Sequence, residues 1–572
     1  MLGRGAQGSL VLALALAPLP PAAAAGPLES IRHFVVIYEE NHSFDNLYGG
    51  WEGVRGLADA SPERARQVDQ HAVPYKCLAQ ADVNLRAPPL PVTCVDTTTA
   101  IPLQSAFANA PFTIDAYIAA GDRTCPPPGE RFGQGVPNGA GLAGGCTRDI
   151  VHRFYQEQYQ LDGGRQDRYV TGSDAVGLAM GHYETRRLPI YRYLHARGHP
   201  RYAIADETFQ GAFGGSFLNH QWLVAAATPV FAGAVQDGGP EDLHSIVDAN
   251  GFPAAYPLYR PEPAGTVVRD APLTVRCGPG QPRSGRCGDY AINTIQPFVQ
   301  PFEPGTPDFK RLPPLTNPTI ADRLNAARID WAWYSGGWSN ASGAVGAPGW
   351  TNGTGGRCAD PRTMAGATYP NCPDALFQFP HQPLSYFAAF DPRTPDGAAN
   401  RAQHLRDEVE FIALVKRSLR ACRLKSVSFV KPVGEENEHP GYASEPRGSN
   451  HLVALLRAIS RSACPKDTMV IVTYDEFGGQ WDHLPPPGQG NEQGPHDEWG
   501  PGTRVPTLIL APALRAPFVV DTASHDTTAI AATLEHRFGL EPLGPRDAAV
   551  LDYSSVFDAS PARASPLRAG ER

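Results

Sequence analysis

The 572-residue chain lacks several features that would settle its class at once. No uninterrupted apolar stretch approaches the ~18 residues that a membrane-spanning helix needs, so no transmembrane segment is expected. There is no excess of positive charge. Its 49 Lys and Arg stand against 58 Asp and Glu, a formal net charge of −9, which argues against nucleic acid as the main partner. No internal repeat is evident, so a solenoid or repeat array is set aside. The ten cysteines include no C-x2-C spacing, so a cysteine-rich metal site is not indicated. The leader has no Arg-Arg pair, which favours a general secretory route over a twin-arginine one.

What is present begins with that leader. Arg4, the short apolar run Leu10–Leu16 and the small residues Ala22–Ala25 read as a signal peptide over residues 1–25. A periplasmic or secreted location is therefore expected. In such a compartment an even number of cysteines, mostly in local pairs, reads as disulfides. Sequential pairing is expected: Cys77 with Cys94, Cys125 with Cys146, Cys277 with Cys287, Cys358 with Cys372, Cys422 with Cys464. High counts of Gly (58) and Pro (57) predict long ordered loops.

Two stretches share one pattern. Phe34–Ile37 is an apolar run that stops at Glu39-Glu40-Asn41-His42-Ser43, with Asp45 behind it. Thr468–Tyr474 stops in the same way at Asp475-Glu476, followed by Gly478-Gly479 and Asp482-His483. Short apolar runs of this kind read as buried parallel strands, and in open α/β sheets chemistry sits beyond their carboxyl ends. At the first stretch two readings stand open. Ser43 or Asn41 caps a helix, or Glu40 and Asn41 hold a hard cation. A third stretch, Phe213-Gly214-Gly215-Ser216, follows a strand and precedes a helix. Ser216 either caps that helix or sits where N–H groups and the helix dipole favour a phosphate. Its surroundings are not the G-x-S-x-G of a nucleophile elbow.

Alternating apolar strands and helices predict an α/β fold: a doubly wound, mostly parallel sheet with helices on both faces. One catalytic domain is expected over residues 27–545. A disulfide-braced, loop-rich insertion is expected at about 228–374 and a disordered tail over 559–572. The aromatic cluster Trp331-Ala332-Trp333-Tyr334 is expected in the core.

Together these motifs resemble the bacterial phosphoesterase family that holds secreted acid phosphatases and phospholipases C, similar in architecture to the alkaline phosphatase superfamily. The matching stretches include HFVVIYEENHSFDNLYG, FGGSFLNHQWL, FPHQPLSYF, SFVKPVGEENEHPGY and TYDEFGGQWDHLPPP. The resemblance implies a divalent metal held by Glu40, Asn41, Asp475 and Glu476, with Ser216 as nucleophile and further ligand. It implies that His152, His381 and His439, with Asn41, contact the phosphoryl or leaving group. An oxygen ligand set suits Mg, Mn or Ca better than Zn. Asp482 and His483 would support the site from behind. Histidines that bind phosphate when protonated would favour mildly acid conditions.

Ser216 looks like the acid phosphatase form, since phospholipase C relatives tend to carry threonine there. The expected function is a phosphomonoesterase working through a phosphoserine. The alternatives are a phospholipase C-like phosphodiesterase and a catalytically silent exported binding protein. One departure stands out: Pro380 occupies a place where the acid phosphatases carry a second histidine, beside the retained His381. Asn41-His42-Ser43 fits a glycosylation acceptor, but a metal role predicts that Asn41 is buried and unmodified.

Overall fold

The structure, a computed structural model, describes residues 1, 26–80, 82–86, 90–127, 130–234, 240–262, 269–303, 305–344, 346–350 and 376–562. The expected signal peptide, the Cys358–Cys372 pair and the end of the expected tail from 563 lie outside the described residues.

The core is a nine-stranded sheet. In chain order its strands are β1 (His33–Glu39), β2 (Tyr202–Ala205), β3 (Trp331–Ser335), β4 (Leu405–Asp407), β5 (Val427–Lys431), β6 (Thr468–Tyr474), β7 (Thr507–Leu510), β8 (Phe518–Asp521) and β9 (Ser560–Pro561). They lie in the order β4-β3-β5-β1-β6-β7-β2-β8-β9. The stretch β4-β3-β5-β1-β6 is parallel throughout. β7 runs antiparallel between β6 and β2, and β9 antiparallel on β8. The sheet is thus α/β and mostly parallel, as expected, with a reversed strand near its middle. β1 and β6 are buried along nearly their whole length, which is why both read as unbroken apolar runs.

Nine α-helices position the site: α1 (Phe44–Leu47), α2 (Phe154–Leu161), α3 (Pro189–Leu194), α4 (Ser216–Ala225), α5 (Ile320–Ala326), α6 (Pro395–His404), α7 (Glu408–Arg417), α8 (Glu445–Ser460) and α9 (Ala529–Phe538). α8 packs on α3 and α7, while α4 packs on α5 and α9. A short strand separates α6 from α7. Leu405–Asp407 pairs with β3, and Asp407 then caps α7 by accepting from Val409 N–H. α2 begins at Phe154, leaving His152 on the chain ahead of it.

Two boundaries are corrected. The stretch 228–374 is not insertion throughout, because its later part supplies α5 and β3, a central strand of the sheet. The predicted aromatic core cluster is β3 itself, buried at all five positions. The domain also runs past 545: Tyr553–Phe557 is a buried turn of helix and Ser560–Pro561 joins the sheet. The tail expected from 559 therefore begins inside the fold.

Four of the five expected disulfides are present: Cys77–Cys94, Cys125–Cys146, Cys277–Cys287 and Cys422–Cys464. The last joins the segment after α7 to the start of β6, with a sequence separation of 42 residues. Closing a loop of that size restricts the unfolded chain. The double variant Cys422→Ser/Cys464→Ser is expected to lose about 2–4 kcal/mol of stability, read as a lowered guanidinium midpoint. An unchanged midpoint would contradict this.

Candidate active site

The register brings the site together. Glu39 on β1 lies beside Tyr474 on β6, so the two strands end at the same height. Glu40-Asn41 and Asp475-Glu476 leave those ends side by side. Asn41 turns into the left-handed region at φ 60°, a conformation asparagine tolerates better than most residues. Its N–H donates to Asp475 Oδ1 at 3.0 Å. Gly478, at φ 63°, lets the second loop approach, since any Cβ there would strike Asn41 O.

The cap reading of the first stretch holds, and it leaves Glu40 and Asn41 available to the site. Ser43 caps α1 by accepting from Asn46 N–H, while Glu40 and Asn41 face the site. Ser216 is the first residue of α4 and Gly215 takes the cap position, so the serine hydroxyl is not engaged as a cap. Ser216 Oγ lies 3.3 Å from Glu40 Oε2, 3.4 Å from Asn41 Oδ1 and 3.3 Å from Glu476 Oε1. The first N–H groups of a helix lack intrahelical acceptors, and Ser216 stands at that end of α4.

Of the three expected histidines, two join this cluster. His152 Nε2 is 3.1 Å from Glu476 Oε1 and 3.3 Å from Asn41 Nδ2, with Nδ1 against Ile150 O. His381 Nδ1 is 2.7 Å from Glu40 Oε1. His439 is buried and takes other partners. It stacks on Tyr442 at 3.8 Å and its Nδ1 donates to Pro440 O at 2.7 Å.

Two participants were not read from the sequence. His220 lies one helical turn after Ser216, and its Nδ1 donates to Ser216 O at 2.8 Å. The i, i+4 spacing from Ser216 in FGGSFLNH was the available signal. Lys431, the buried last residue of β5, places Nζ 2.7 Å from Glu40 Oε1. An apolar strand ending in lysine was the clue there.

Three buried carboxylates against one ammonium leave the cluster short of positive charge. One serine proton can satisfy only one of the oxygens around it. Asp475 Oδ2 and His220 Nε2 are buried without a hydrogen-bond partner. Burial raises the carboxyls of both Asp475 and Glu476 far above the ordinary range, and neighbouring acids raise them further, Glu40 for Asp475 and Asp475 for Glu476. These are the marks of a pocket suited to a cation. Glu40, Asn41, Asp475, Glu476 and Ser216 supply oxygen donors. Glu40, His220 and His381 also form a compact group of candidate ligands, so the donors are not oxygen alone.

Burial holds His152, His220, His381 and His439 below the usual imidazole value. Burial thus works against the positive charge that would help them bind phosphate.

Behind the cluster, Asp482 and His483 hold the two motif loops together. Arg504 is fully buried, with Nε 3.1 Å from Asp482 Oδ1 and Nη2 3.1 Å from Asp45 Oδ1. His483 Nδ1 is 2.6 Å from Asp45 Oδ2, and Asp45 N–H donates to Asp482 Oδ2 at 3.0 Å.

The comparisons bear on this geometry. The sequence profile described as the Phosphoesterase family matches residues 31–134 and 135–541. The chain belongs to the Phosphoesterase family. Phospholipase C B of Mycobacterium tuberculosis is 24% identical over 569 residues, covering 93% of this chain and 78% of that protein. Phospholipase C A of the same organism is 23% identical over 564 residues, with the same coverage. Non-hemolytic phospholipase C of Pseudomonas aeruginosa is 26% identical over 226 residues, covering 34% of this chain and 32% of that protein. Among solved structures, murine ectonucleotide pyrophosphatase/phosphodiesterase 5 aligns at a TM-score of 0.26 and 11% identity, covering 65% of this chain and 97% of that one. That overlap adds nothing to the fold seen directly. This family member is a hydrolase acting on phosphoric ester bonds. Among the described residues no helix is long and apolar enough to cross a membrane.

A cation in this pocket should stabilise the fold by mass action. After chelation, returning Mg, Mn, Ca or Zn is expected to raise the unfolding temperature, with a gain of about 2.7 kcal/mol at 100 times Kd. Asp475→Asn should blunt the gain. No response to any of the four ions would contradict the reading of the pocket.

Proposed function

We propose that this hydrolase cleaves phosphomonoesters through a phosphoserine formed on Ser216. The observation that carries the reading is the convergence of Glu40, Asn41 and Glu476 oxygens within 3.4 Å of Ser216 Oγ at a helix start. A divalent cation held by Glu40, Asn41, Asp475, Glu476 and Ser216 would lower the pKa of the hydroxyl and offset charge on the phosphoryl oxygens.

The chain's own groups supply the rest. Ser216 gives its proton to a carboxylate beside it, Glu40 or Glu476, each 3.3 Å from Oγ; Oγ attacks phosphorus in line, the bond to the leaving oxygen breaks, and the phosphoryl group passes to the serine. N–H groups of the first turn of α4 receive the phosphoryl oxygens, and Lys431 adds a fixed charge beside Glu40. His152 has Nδ1 tied to Ile150 O, so in its neutral form Nε2 is a bare acceptor facing the cluster. It takes up a proton as the phosphate anion binds and can release it to the leaving alcohol. Water then cleaves the phosphoserine.

The wall beside His152 supports a polar substrate. A cavity of about 460 Å³ there is lined by Asp149, Arg153, Asp174, Asp270 and Asn293, among others. The serine at the nucleophile position favours the same reading. The second reading, a phospholipase C-like phosphodiesterase, is favoured by relatives of that name spanning 93% of the chain. The silent binding protein is set aside, because the chain belongs to a hydrolase family. Disulfides support an exported protein in an oxidising compartment.

Parallel assays with p-nitrophenyl phosphate and phosphatidylcholine separate the readings. Wild type is expected to turn over the monoester faster, and Ser216→Ala to lose at least about 10³-fold in kcat. Release of phosphorylcholine without monoester cleavage would replace the first reading with the second.

A further inference from the structure

Behind the nucleophile turn lies a buried polar knot that the chemistry above does not use. Glu157, on α2, is fully buried. Its carboxylate accepts four hydrogen bonds. Oε1 takes Thr503 N–H at 2.7 Å and Thr503 Oγ–H at 2.8 Å. Oε2 takes Gly214 N–H at 2.5 Å and Gln210 Nε2–H at 3.0 Å. All four donors are neutral. Gln210 is fully buried as well. Its Nε2 also reaches Ala212 O at 2.7 Å and Gly214 O at 3.0 Å, while its Oε1 accepts Phe477 N–H at 3.0 Å.

The reach of this pair is specific. Gly214 precedes Ser216 by two residues, and Phe477 follows Glu476 directly. Gly214 sits at φ 89°, and a Cβ there would meet Phe154 N at 2.6 Å, so the turn is held hard against the start of α2. We propose that Glu157, acting with Gln210, is a positioning residue that fixes the nucleophile turn relative to the Asp475–Glu476 loop. The inference rests on the reading of Ser216 as nucleophile.

Two arguments support it. Four converging donors demand a group that only accepts, so glutamine at 157 would turn an N–H₂ toward donors at one end. Further, burial pushes the Glu157 carboxyl up to about 7 despite these bonds. A charge buried without a cation is costly, and a brace for packing alone would be met by an apolar side chain. Placement of reacting groups is sensitive on this scale: a shift near 1 Å can cost ~10²-fold in rate.

The test compares wild type, Glu157→Gln and Gln210→Met in the full chain as isolated, with p-nitrophenyl phosphate as substrate. Amide hydrogen exchange is followed in peptides containing Gly214 and Phe477. Glu157→Gln is expected to lower kcat by about 10–100-fold with KM changed less than about threefold, and to speed exchange at both Gly214 and Phe477. Gln210→Met should act in the same direction, by about tenfold. A kcat within about twofold of wild type in both variants, alongside a lowered unfolding temperature, would reduce the knot to a structural brace and overturn the proposal. If Glu157→Gln does not fold, Gln210→Met decides by the same criteria. Loss of Ser216-dependent turnover in wild type would instead sink the nucleophile reading. Exchange unchanged at both positions would then still overturn the clamp.

Discussion

Like charges that cannot escape one another are the constraint on which this molecule turns. Two adjacent parallel strands end in register, at Glu39 and Tyr474, and each continues directly into acid. Glu40, Asp475 and Glu476 are completely buried as a result. Their repulsion and lost hydration disfavour the fold unless positive charge enters. Lys431 supplies part of it. The remainder defines what the pocket is fit to take, and the serine at the start of α4 stands at its centre. On the proposed reading, the strain of the free site is the affinity of the site for its cation.

Holding such a cluster in place falls to groups that never touch the substrate. Arg504 with Asp45, Asp482 and His483 ties the loop after β1 to the loop after β6. Removing the guanidinium would leave two carboxylates buried without it, the situation in which a broken buried pair is most destabilising. Glu157 and Gln210 perform a similar task between the nucleophile turn and the second acid loop, with neutral donors instead of ions. Both devices cross from one motif to another, which links the spacing of distant sequence elements to the geometry at Ser216 Oγ.

The sequence was legible where local pattern and tertiary role coincide. β1 and β6 are buried on both faces, so burial wrote itself as apolar runs, and the acids beyond them marked the strand ends. The Gly-Gly-Ser turn was legible for a similar reason, since α4 starts where the glycines stop. β3 was not. Its aromatic residues were rightly placed in the core, but the Pro- and Gly-rich stretch around them hid a central strand within an expected insertion. β4 was hidden because three residues between two helices carry no period of their own. His220 and Lys431 were missed because their role depends on which strands become neighbours, and the order β5-β1-β6 is a tertiary fact. Burial, which lowers the histidines, is likewise invisible in the chain. The stacking of His439 on Tyr442 is likewise a contact that position in a motif does not reveal.

The central claim, that Ser216 carries the phosphoryl group, is tested most directly by acid-quenching the protein during turnover of a phosphomonoester and mapping the modified peptide by mass spectrometry. The account predicts one phosphoryl group on Ser216. A phosphoryl group on any other residue, or sustained turnover with none trapped on Ser216 at any quench time, would contradict it.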